Sequence, residues 1–348
     1  MVAACAGADR VPATVAQRLI VIGGSAGALE GVRQIVAALP ASLPATVLVC
    51  VHLAPRSTSR LPQILDAAGA LPARHPTPGE RLTSGVVLVA APDRHLVVHD
   101  DVVHLSRGPK ENRHRPAVDA LFNSAARWHG PMVIGVVLSG ALDDGAAGAA
   151  AIAAQDGTVI VQDPDEARVA GMPSAAAAAV RRARITPVAR IPALLQELTA
   201  DAADASPEQA PELVPLLAWE SENVDPSIPA SRPPMPGTPI ALGCPDCHGG
   251  MFESTGAQGV PHYLCHVGHS WSPVSLMAAQ HEASEAALYG AAAKLLEEAM
   301  VLRQLADRRR GDPDTSTTAE LQANADRAEG RARRIQAMLE TATNGGTA

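Results

Sequence analysis

The chain has 348 residues, which exceeds one ordinary domain, and 47% of them are hydrophobic although only 2% are aromatic. This composition predicts two or three folding units with cores of Val, Leu, Ile and Ala. The formal charge is −8, from 28 basic and 36 acidic residues, which argues against nucleic-acid binding because phosphate contacts need clustered Lys and Arg. No apolar run reaches the roughly 18 residues of a membrane span, and no basic-then-apolar secretory signal begins the chain. We therefore expect a protein of the reducing cytoplasm without membrane insertion.

Apolar runs of strand length alternate with helix-like stretches between residues 17 and 198, after a loose tail over residues 1–16. The runs cover residues 19–22, 46–53, 86–91, 132–138 and 158–161. Because they are apolar almost throughout, they are typical of a parallel sheet that is buried on both faces. Residues 95–106 instead predict two short strands around an Asp-Asp turn, a small antiparallel insertion. The fold class expected for this domain is α/β, with a doubly wound, mostly parallel, Rossmann-like sheet.

The composition changes beyond residue 198. Residues 199–240 hold nine prolines, seven acidic residues and one basic residue, so we interpret them as a flexible, partly extended linker that buries too little apolar area to fold. Residues 241–272 form a small Cys/His module. Residues 273–342 carry Leu and Ala at alternating spacings of four and three, which predicts an antiparallel helical hairpin or helices that pair with another chain.

The first apolar run ends in Gly23, Ser25 and Gly27, which form the pattern G-x-S-x-G between a strand and a helix. A tight strand-to-helix turn presents the serine hydroxyl at the sheet edge, and the flanking glycines allow the close backbone path. The start of the following helix favours developing negative charge. The alternative is a glycine-rich turn that binds phosphate or only packs. A dinucleotide fingerprint is excluded because G-x-G-x-x-G fails in both registers.

A nucleophilic serine needs a base, and the base needs an orienting carboxylate. His52 follows the second strand, and Asp143 and Asp144 follow the fourth. Because the carboxyl ends of parallel strands share one edge, where ligands bind, we expect Ser25, His52 and an aspartate at one rim. A strand-end histidine by itself would be ordinary, but the three together favour catalysis. The chain order Ser, His, Asp differs from that of α/β-hydrolases and disfavours a lipase.

Six segments resemble the catalytic domain of chemotaxis-type protein-glutamate methylesterases. They are VIGGSAGALEGV, VCVHLAP, VLVAAPDRHLVV, NRHRPAVDALFNSAA, VVLSGALDDGAAGAAAI and GMPSAAAAAV. The resemblance implies a serine carboxyl-methylesterase that hydrolyses glutamate methyl esters on a receptor protein and often deamidates glutamine. It makes Ser25 the nucleophile, His52 the base and Asp144 the orienting carboxylate, while Asp143 falls where the family usually has asparagine or another polar residue.

On this resemblance, backbone N–H groups near His52 and Ala141 are expected to bind the oxyanion. Two residues depart from the family pattern, because Ala26 replaces a common threonine and Ala141 replaces a methionine. Members of the chemotaxis pathway usually carry an N-terminal receiver domain, and the residues before 17 are too few for one. We therefore expect that form of control to be missing and the link to chemotaxis to be weaker.

A basic cluster of Arg94, His95, Arg113, His114 and Arg115 has two interpretations. In the first, the cluster contacts an acidic receptor helix around the esterified glutamate, and Arg94 and Arg115 are the candidate substrate-binding residues. In the second, the arginines pair with acidic residues inside the domain, and NRHRP directly before a helix acts as a structural clamp.

The Cys/His module carries Cys244 and Cys247 as C-x-x-C, with Cys265 and His269 following after 17 intervening residues. This spacing predicts one tetrahedral Zn²⁺, as in zinc ribbons, and four protein ligands would make the site structural. The rival fourth ligands are His248, His262 and His266. Three unrelated free cysteines are the alternative, and catalysis itself is expected to need no cofactor.

Two other functions stay open. One is a signalling scaffold that keeps the esterase fold and binds receptor or kinase partners through its C-terminal extension. The other is a small-molecule esterase without a protein substrate. The partners expected are a methylated receptor protein as substrate, and a signalling kinase or a second copy of the chain at the C-terminal helices.

Overall fold

The computed structural model describes residues 18–55, 58–200, 211–227, 234–309 and 315–344. The chain divides into two units, the first ending at Leu276 and the second beginning at Met277. Among the helices within these ranges, none combines the length and the apolar character that a membrane crossing requires. The predicted tail over residues 1–16 lies outside the described part of the chain.

The first unit begins with the predicted α/β domain. Its strands are β1 (Arg18–Gly24), β2 (Ala45–Val51), β3 (Ala73–Arg74), β4 (Glu80–Arg81), β5 (Val86–Val89), β6 (His95–His99), β7 (Val102–Ser106), β8 (Val133–Val137), β9 (Thr158–Gln162) and β10 (Arg184–Thr186). Seven of them form one sheet in the order β10-β9-β8-β1-β2-β5-β3, and every pairing in it is parallel. The strands β4, β7 and β6 form a small antiparallel sheet, with Asp100 and Asp101 between β6 and β7. The prediction of a parallel sheet with an antiparallel insertion is confirmed.

Helices cover both faces of the parallel sheet. They are α1 (Ala28–Ala38), α2 (Leu61–Asp66), α3 (Val118–His129), α4 (Ala146–Ala154), α5 (Gly171–Ala179) and α6 (Ile191–Ala200). Successive residues of a strand point to opposite faces, so Ile20 of β1 packs under α1, α2 and α6, while Val21 packs under α3, α4 and α5. This two-sided burial explains why the strands are apolar at nearly every position.

The predicted linker contains a helix. Residues Pro215–Val224 form α7, which packs against α3 and buries Leu217 and Trp219. The Arg127 guanidinium of α3 donates a 2.7 Å hydrogen bond to the Ala218 carbonyl.

The prediction of a flexible linker over residues 199–240 was therefore wrong for the α7 stretch. A short apolar run there finds a matching surface on α3, and the average composition of a Pro-rich, acidic window hides that run. Residues 201–210 and 228–233 of the same window lie outside the described residues.

The Cys/His module is a four-stranded antiparallel sheet that begins at residue 238, slightly before the predicted boundary. Its strands, in sheet order, are β11 (Thr238–Gly243), β12 (Gly250–Thr255), β13 (Pro261–Cys265) and β14 (Ser270–Trp271). Few of its apolar side chains are buried, and Met251, Leu264 and Trp271 are among them. Ala257 packs into the core of the α/β domain, so the module is docked on that domain within the first unit.

Two long helices follow, α8 (Pro273–Arg308) and α9 (Thr315–Asn344). In the second unit, Ala299 of α8 packs against Ala325 and Ala328 of α9. Arg303 of α8 pairs with Glu329 of α9. The two helices therefore meet along the predicted alanine-rich seam.

Candidate active site

Ser25 lies in the turn between β1 and α1. Gly27 has a φ of 84°, a left-handed conformation that favours glycine. A Cβ atom on Gly23 would overlap the Val118 side chain, so this glycine permits a close backbone approach. The Ser25 N–H donates a 2.9 Å hydrogen bond to the Ser139 carbonyl. The G-x-S-x-G pattern thus forms a tight strand-to-helix turn with a half-buried serine.

His52 lies next to Ser25 on the neighbouring strand. The register of β1 and β2 pairs Gly24 with Val51, so Ser25 and His52 are the next residues of two strands that run about 4.8 Å apart. On the other side of β1 lies β8, and Asp144 belongs to the loop that follows β8. The strand order reverses between β1 and β8, and this switch point is where open α/β sheets bind ligands.

The structure brings His52 and Asp144 into direct contact. Their Nε2 and Oδ2 atoms are 2.6 Å apart, and the Asp144 side chain is only 2% exposed. The first turn of α3 adds two donors, because the Val118 N–H binds Oδ2 at 2.7 Å and the Asp119 N–H binds Oδ1 at 3.1 Å. Burial opposes the charge of Asp144, but the hydrogen bond and charge of His52, together with the Val118 N–H, hold the pKa of Asp144 below the ordinary range. The carboxylate is therefore anionic at neutral pH.

The ring nitrogen of His52 that contacts the carboxylate differs from the one used in most Ser-His-Asp triads. In the well-known Ser-His-Asp arrangement the carboxylate binds Nδ1 and the serine faces Nε2. Here Asp144 occupies Nε2, so Nδ1 is the ring nitrogen left for Ser25. Strand-end reasoning predicted that these residues would meet, but it contained no information on the ring orientation.

His114 stacks on His52 with 3.6 Å between ring centroids and an interplanar angle of 13°. It ends a turn whose two central residues, Asn112 (φ 47°) and Arg113 (φ 73°), are left-handed, and Glu111 pairs with His114 across this turn. Burial lowers the pKa of His114 to about 4, so the stacked ring is neutral at pH 7. Sequence reasoning placed His114 in the basic cluster and missed this contact with His52.

The expected oxyanion role of the His52 N–H does not fit the structure. That N–H donates a 3.1 Å hydrogen bond to the Gly24 carbonyl and continues the β1–β2 ladder. Ala141 is an exposed residue of the otherwise largely buried loop after β8, and its N–H makes no backbone hydrogen bond within the described ranges. Leu142 beside it has a φ of 59°, which is strained for a leucine.

Most residues of the basic cluster make contacts inside the domain. Arg115 donates to Asp93 Oδ1 at 2.7 and 3.0 Å and to the Gly108 carbonyl at 2.8 Å. His95 is completely buried, its Nε2 donating to the Pro109 carbonyl at 2.9 Å. A receptor contact by His95 is therefore wrong, because no part of its ring reaches the surface. Arg94 is half-buried beside this clamp.

The predicted metal ligands also come together. The ligand atoms of Cys244, Cys247, Cys265 and His269 lie within 4.8 Å of one another. Cys247 Sγ is 3.6 Å from Cys265 Sγ, and Cys265 Sγ is 3.5 Å from His269 Nδ1. Zn–S bonds of about 2.3 Å in a tetrahedron require nearly this separation between ligands.

The rival histidines do not complete this cluster. His262 Nε2 lies 3.0 Å from Glu220 Oε1 of α7, and His266 packs edge-on against Phe252. His248 is not a member of the four-residue group.

The C-terminal segment reaches the catalytic edge, which the sequence did not suggest. Ser272 Oγ donates a 2.7 Å hydrogen bond to Asp143 Oδ1. Ser275 Oγ donates at 2.7 Å to Asn112 Oδ1, and Asn112 Nδ2 donates at 3.1 Å to Asp144 Oδ1. Burial raises the pKa of Asp143 although the Ser272 hydrogen bond opposes the shift.

A doubly wound parallel sheet with serine, histidine and aspartate at its switch point is typical of α/β proteins with serine-hydrolase chemistry. Residues 20–195 match the family model described as CheB methylesterase. The chain belongs to the CheB methylesterase family.

Similar proteins include "Protein-glutamate methylesterase/protein-glutamine glutaminase 2" of Methanosarcina mazei, which is 38% identical over 168 residues covering 46% of each chain. The protein of the same name from Caulobacter vibrioides is 38% identical over 177 residues, covering 49% of this chain and 51% of its own. The matches thus span about half the length of these curated relatives. The crystal structure of the Thermotoga maritima CheB methylesterase catalytic domain aligns with a TM-score of 0.50 and 33% identity, covering 53% of this chain and all of that one.

Proposed function

We propose that this protein is a serine carboxyl-methylesterase that hydrolyses glutamate methyl esters on a chemoreceptor-type protein. The observation that carries the proposal is the 2.6 Å contact of His52 with a buried, anionic Asp144 beside Ser25. The names of the similar proteins, which pair methylesterase with glutaminase activity, support hydrolysis of a glutamate ester and extend the proposal to glutamine deamidation. Both reactions pass through the same glutamyl-serine ester.

In the proposed mechanism, His52 Nδ1 takes the Ser25 proton as the hydroxyl oxygen attacks the ester carbonyl. Asp144 holds the Nε2 side of the ring and stabilises the imidazolium that forms. The imidazolium returns the proton to the departing methanol. A water molecule then attacks the acyl-enzyme by the same proton route and releases the glutamate carboxylate.

The oxyanion is assigned to the N–H groups of Ala26 and Ala141. Ala26 directly follows the nucleophile in the turn that leads into α1, close to the helix N-terminus, where negative charge is favoured. Loss of one such donor costs about 2.7–4 kcal/mol in transition-state stabilisation. Arg94 and Arg115 remain the proposed substrate contacts, and the Asp93 clamp would hold the Arg115 side chain in one orientation.

The test is methanol release from a methylated receptor by the full chain. Ser25→Ala removes the nucleophile, and we expect turnover to fall at least 10³-fold with the fold unchanged. Ser42→Ala is the matched control, because Ser42 is exposed in the loop that precedes the amino end of β2. Full turnover in Ser25→Ala would refute the proposal.

A fluorophosphonate probe separates the alternatives. Labelling of Ser25 with receptor-dependent methanol release supports the methylesterase. Labelling with turnover of simple esters alone would favour a small-molecule esterase. A folded protein that is neither labelled nor active would favour the signalling scaffold.

We also propose that Cys244, Cys247, Cys265 and His269 bind one structural Zn²⁺. Three thiolates and one imidazole are ligands that Zn²⁺ prefers, and four protein ligands would leave no open position for catalysis. Zinc analysis of the purified protein, expected to give one ion per chain and none in Cys247→Ser, tests this assignment. Such a reduced thiol site fits the predicted cytoplasmic location.

The second unit is proposed to associate with another copy of this chain. Tyr289, Leu296, Met300, Val301 and Leu305 of α8 are large apolar side chains with at least 38% exposure, which is unusual for helices without a partner. Light scattering tests this proposal. A monomer that binds a signalling kinase instead would favour the kinase as the partner of these helices.

A further inference from the structure

The Asn112 side chain connects the C-terminal segment to the catalytic carboxylate. Its Oδ1 atom accepts hydrogen bonds from the Ser272 N–H at 2.8 Å and from Ser275 Oγ at 2.7 Å. Its Nδ2 atom donates to Asp119 Oδ2 at 2.8 Å and to Asp144 Oδ1 at 3.1 Å. An asparagine amide has two donors and two acceptor positions, and all four are used here in a side chain that is 2% exposed.

The C-terminal segment determines which end of this amide faces Asp144. If the amide turned over, its NH₂ group would face the Ser272 N–H, and its oxygen would face two carboxyl groups. Burial together with the charge of Asp144 raises the pKa of Asp119, so the negative charge of this cluster is concentrated on Asp144. The amide donor therefore acts on the carboxylate that contacts His52.

Ser272 and Ser275 are themselves fixed at the start of α8. The Ser275 N–H donates to Ser272 Oγ at 3.0 Å, and the Ser272 N–H donates to Ser275 Oγ at 3.1 Å, which is the reciprocal geometry of a capping box. Ser272 Oγ also binds Asp143, the neighbour of Asp144. Both serines are at most 4% exposed.

The Cys/His module holds this serine pair against the α/β domain. Strand β14 directly follows His269, and the Asn112 N–H donates a 2.8 Å hydrogen bond to the Ser270 carbonyl. Ser270 Oγ donates at 2.6 Å to Glu220 of α7, and Glu220 also accepts from Asn123 Nδ2 of α3 at 3.0 Å. The segment is thus anchored on two sides before it reaches Ser272.

We propose that Ser272 and Ser275 are positioning residues for the active site, acting on Asp144 through Asn112. The C-terminal module would then complete the catalytic centre of a domain whose three reacting side chains all lie before residue 145. The inference rests on the proposed function. Its physical basis is that a carboxylate displaced by a fraction of an ångström no longer holds the imidazole in the productive orientation.

The first test is steady-state kinetics of Ser275→Ala in the full chain. We expect kcat for methanol release to fall about tenfold with KM unchanged, because the hydroxyl orients a catalytic group and does not touch the substrate. Ser284→Ala is the matched control, since that exposed serine donates a hydrogen bond to the Gln280 carbonyl of its own helix. An unchanged kcat in Ser275→Ala would overturn the inference.

A double-mutant cycle separates positioning from general destabilisation. If Ser275 acts through Asn112, the variant Asn112→Ala/Ser275→Ala loses no more kcat than Asn112→Ala alone. Losses that multiply would contradict the proposal. If Ser275→Ala does not fold, Ser275→Thr and Ser275→Val replace it, because they share one shape and differ in the hydroxyl. The threonine variant is then expected to turn over about tenfold faster.

A readout that does not need turnover distinguishes the two proposals. The His52 Nε2 proton bound to Asp144 can be observed by nuclear magnetic resonance, and its exchange with water measured. We expect faster exchange in Ser275→Ala and Asn112→Ala than in wild type or Ser284→Ala. A wild type without esterase activity would refute the proposed function, and equal exchange rates in all four proteins would refute the positioning role.

Discussion

The parallel sheet and the Cys/His module are stabilised by different interactions. Nearly every residue of β1, β2, β5 and β8 is buried between two layers of helices. In the module, β11 is exposed along almost its whole length, and the apolar core is small. Small domains with little buried apolar surface depend on metals or disulfides. The comparison teaches that the parallel sheet has its own core, whereas the stability of the module is proposed to depend on its four candidate metal ligands.

Removal of the proposed Zn²⁺ should have the largest effect on stability, and the unfolding it causes should be confined to the module. Zinc binding contributes on the order of 10–16 kcal/mol in zinc-finger peptides. We expect Cys247→Ser, or chelation of the wild type, to abolish amide protection over residues 238–271 in hydrogen-exchange mass spectrometry while β1 and β2 stay protected. Cys50→Ala is the control, because Cys50 is buried in the sheet away from the cluster. A metal-free module with native protection would contradict this comparison.

A cavity in the sheet core should have the next largest effect and act on the whole α/β domain. Leu48 of β2 is fully buried, and Leu→Ala at such a site costs about 2–5 kcal/mol of unfolding free energy. We expect urea denaturation of Leu48→Ala to show a loss of this size. Ile64→Ala is the control, since Ile64 is 36% exposed. A loss in Leu48→Ala no larger than in Ile64→Ala would be evidence against the two-layer core.

Acid should destabilise the α/β domain through His95. Burial lowers the pKa of His95 to about 4, so the unfolded chain binds this proton between pH 6.5 and 4 and the native protein does not. The contribution of the neutral His95 ring to the free energy of unfolding is therefore fully present above pH 6.5. As the pH falls to 4, the protein loses up to about 3 kcal/mol of this contribution. Between pH 7 and 4.5, His95→Gln should lose less unfolding free energy in urea than wild type. Identical pH dependences would exclude this contribution.

Relief of backbone strain should have the smallest effect. Leu142 has a φ of 59°, and a glycine adopts this conformation without the steric cost. Glycine also increases the entropy of the unfolded chain, and this offsets part of the gain from strain relief. We therefore expect Leu142→Gly to raise the free energy of unfolding by only about 0.5–1 kcal/mol. Thermal denaturation measures this difference. A lower Tm in the variant would mean that the leucine side chain contributes more by packing than the strain costs.

The features that the sequence predicted are those that depend on the positions of strand ends and on the spacing of candidate ligands. Buried apolar runs indicated the parallel sheet. The rule that the carboxyl ends of parallel strands lie at one edge predicted that His52 and Asp144 would be close together. The C-x-x-C and C-x-x-x-H spacings likewise predicted that Cys265 and His269 would lie close to the other two candidate ligands. These features follow from local periodicity and from one topological rule, which is why a single sequence was sufficient.

Contacts between distant segments were missed. Ser272 and Ser275 lie about 160 residues after Asn112, and no pattern in either stretch indicates the other. Helix α7 was hidden for a similar reason, because its partner surface on α3 exists only after folding. Packing of this kind depends on shape complementarity, which periodicity and composition do not encode.

Helix α7 also affects where the molecule can be cut. The family match ends at residue 195, about eighty residues before the first unit ends at Leu276. A recombinant fragment trimmed to the family limits would retain Ser25, His52 and Asp144, but the α3 surface that packs with Leu217 would face water. Such a bare apolar surface promotes aggregation. A fragment for expression and crystallisation should therefore include α7 and the module, as far as the end of the first unit at Leu276.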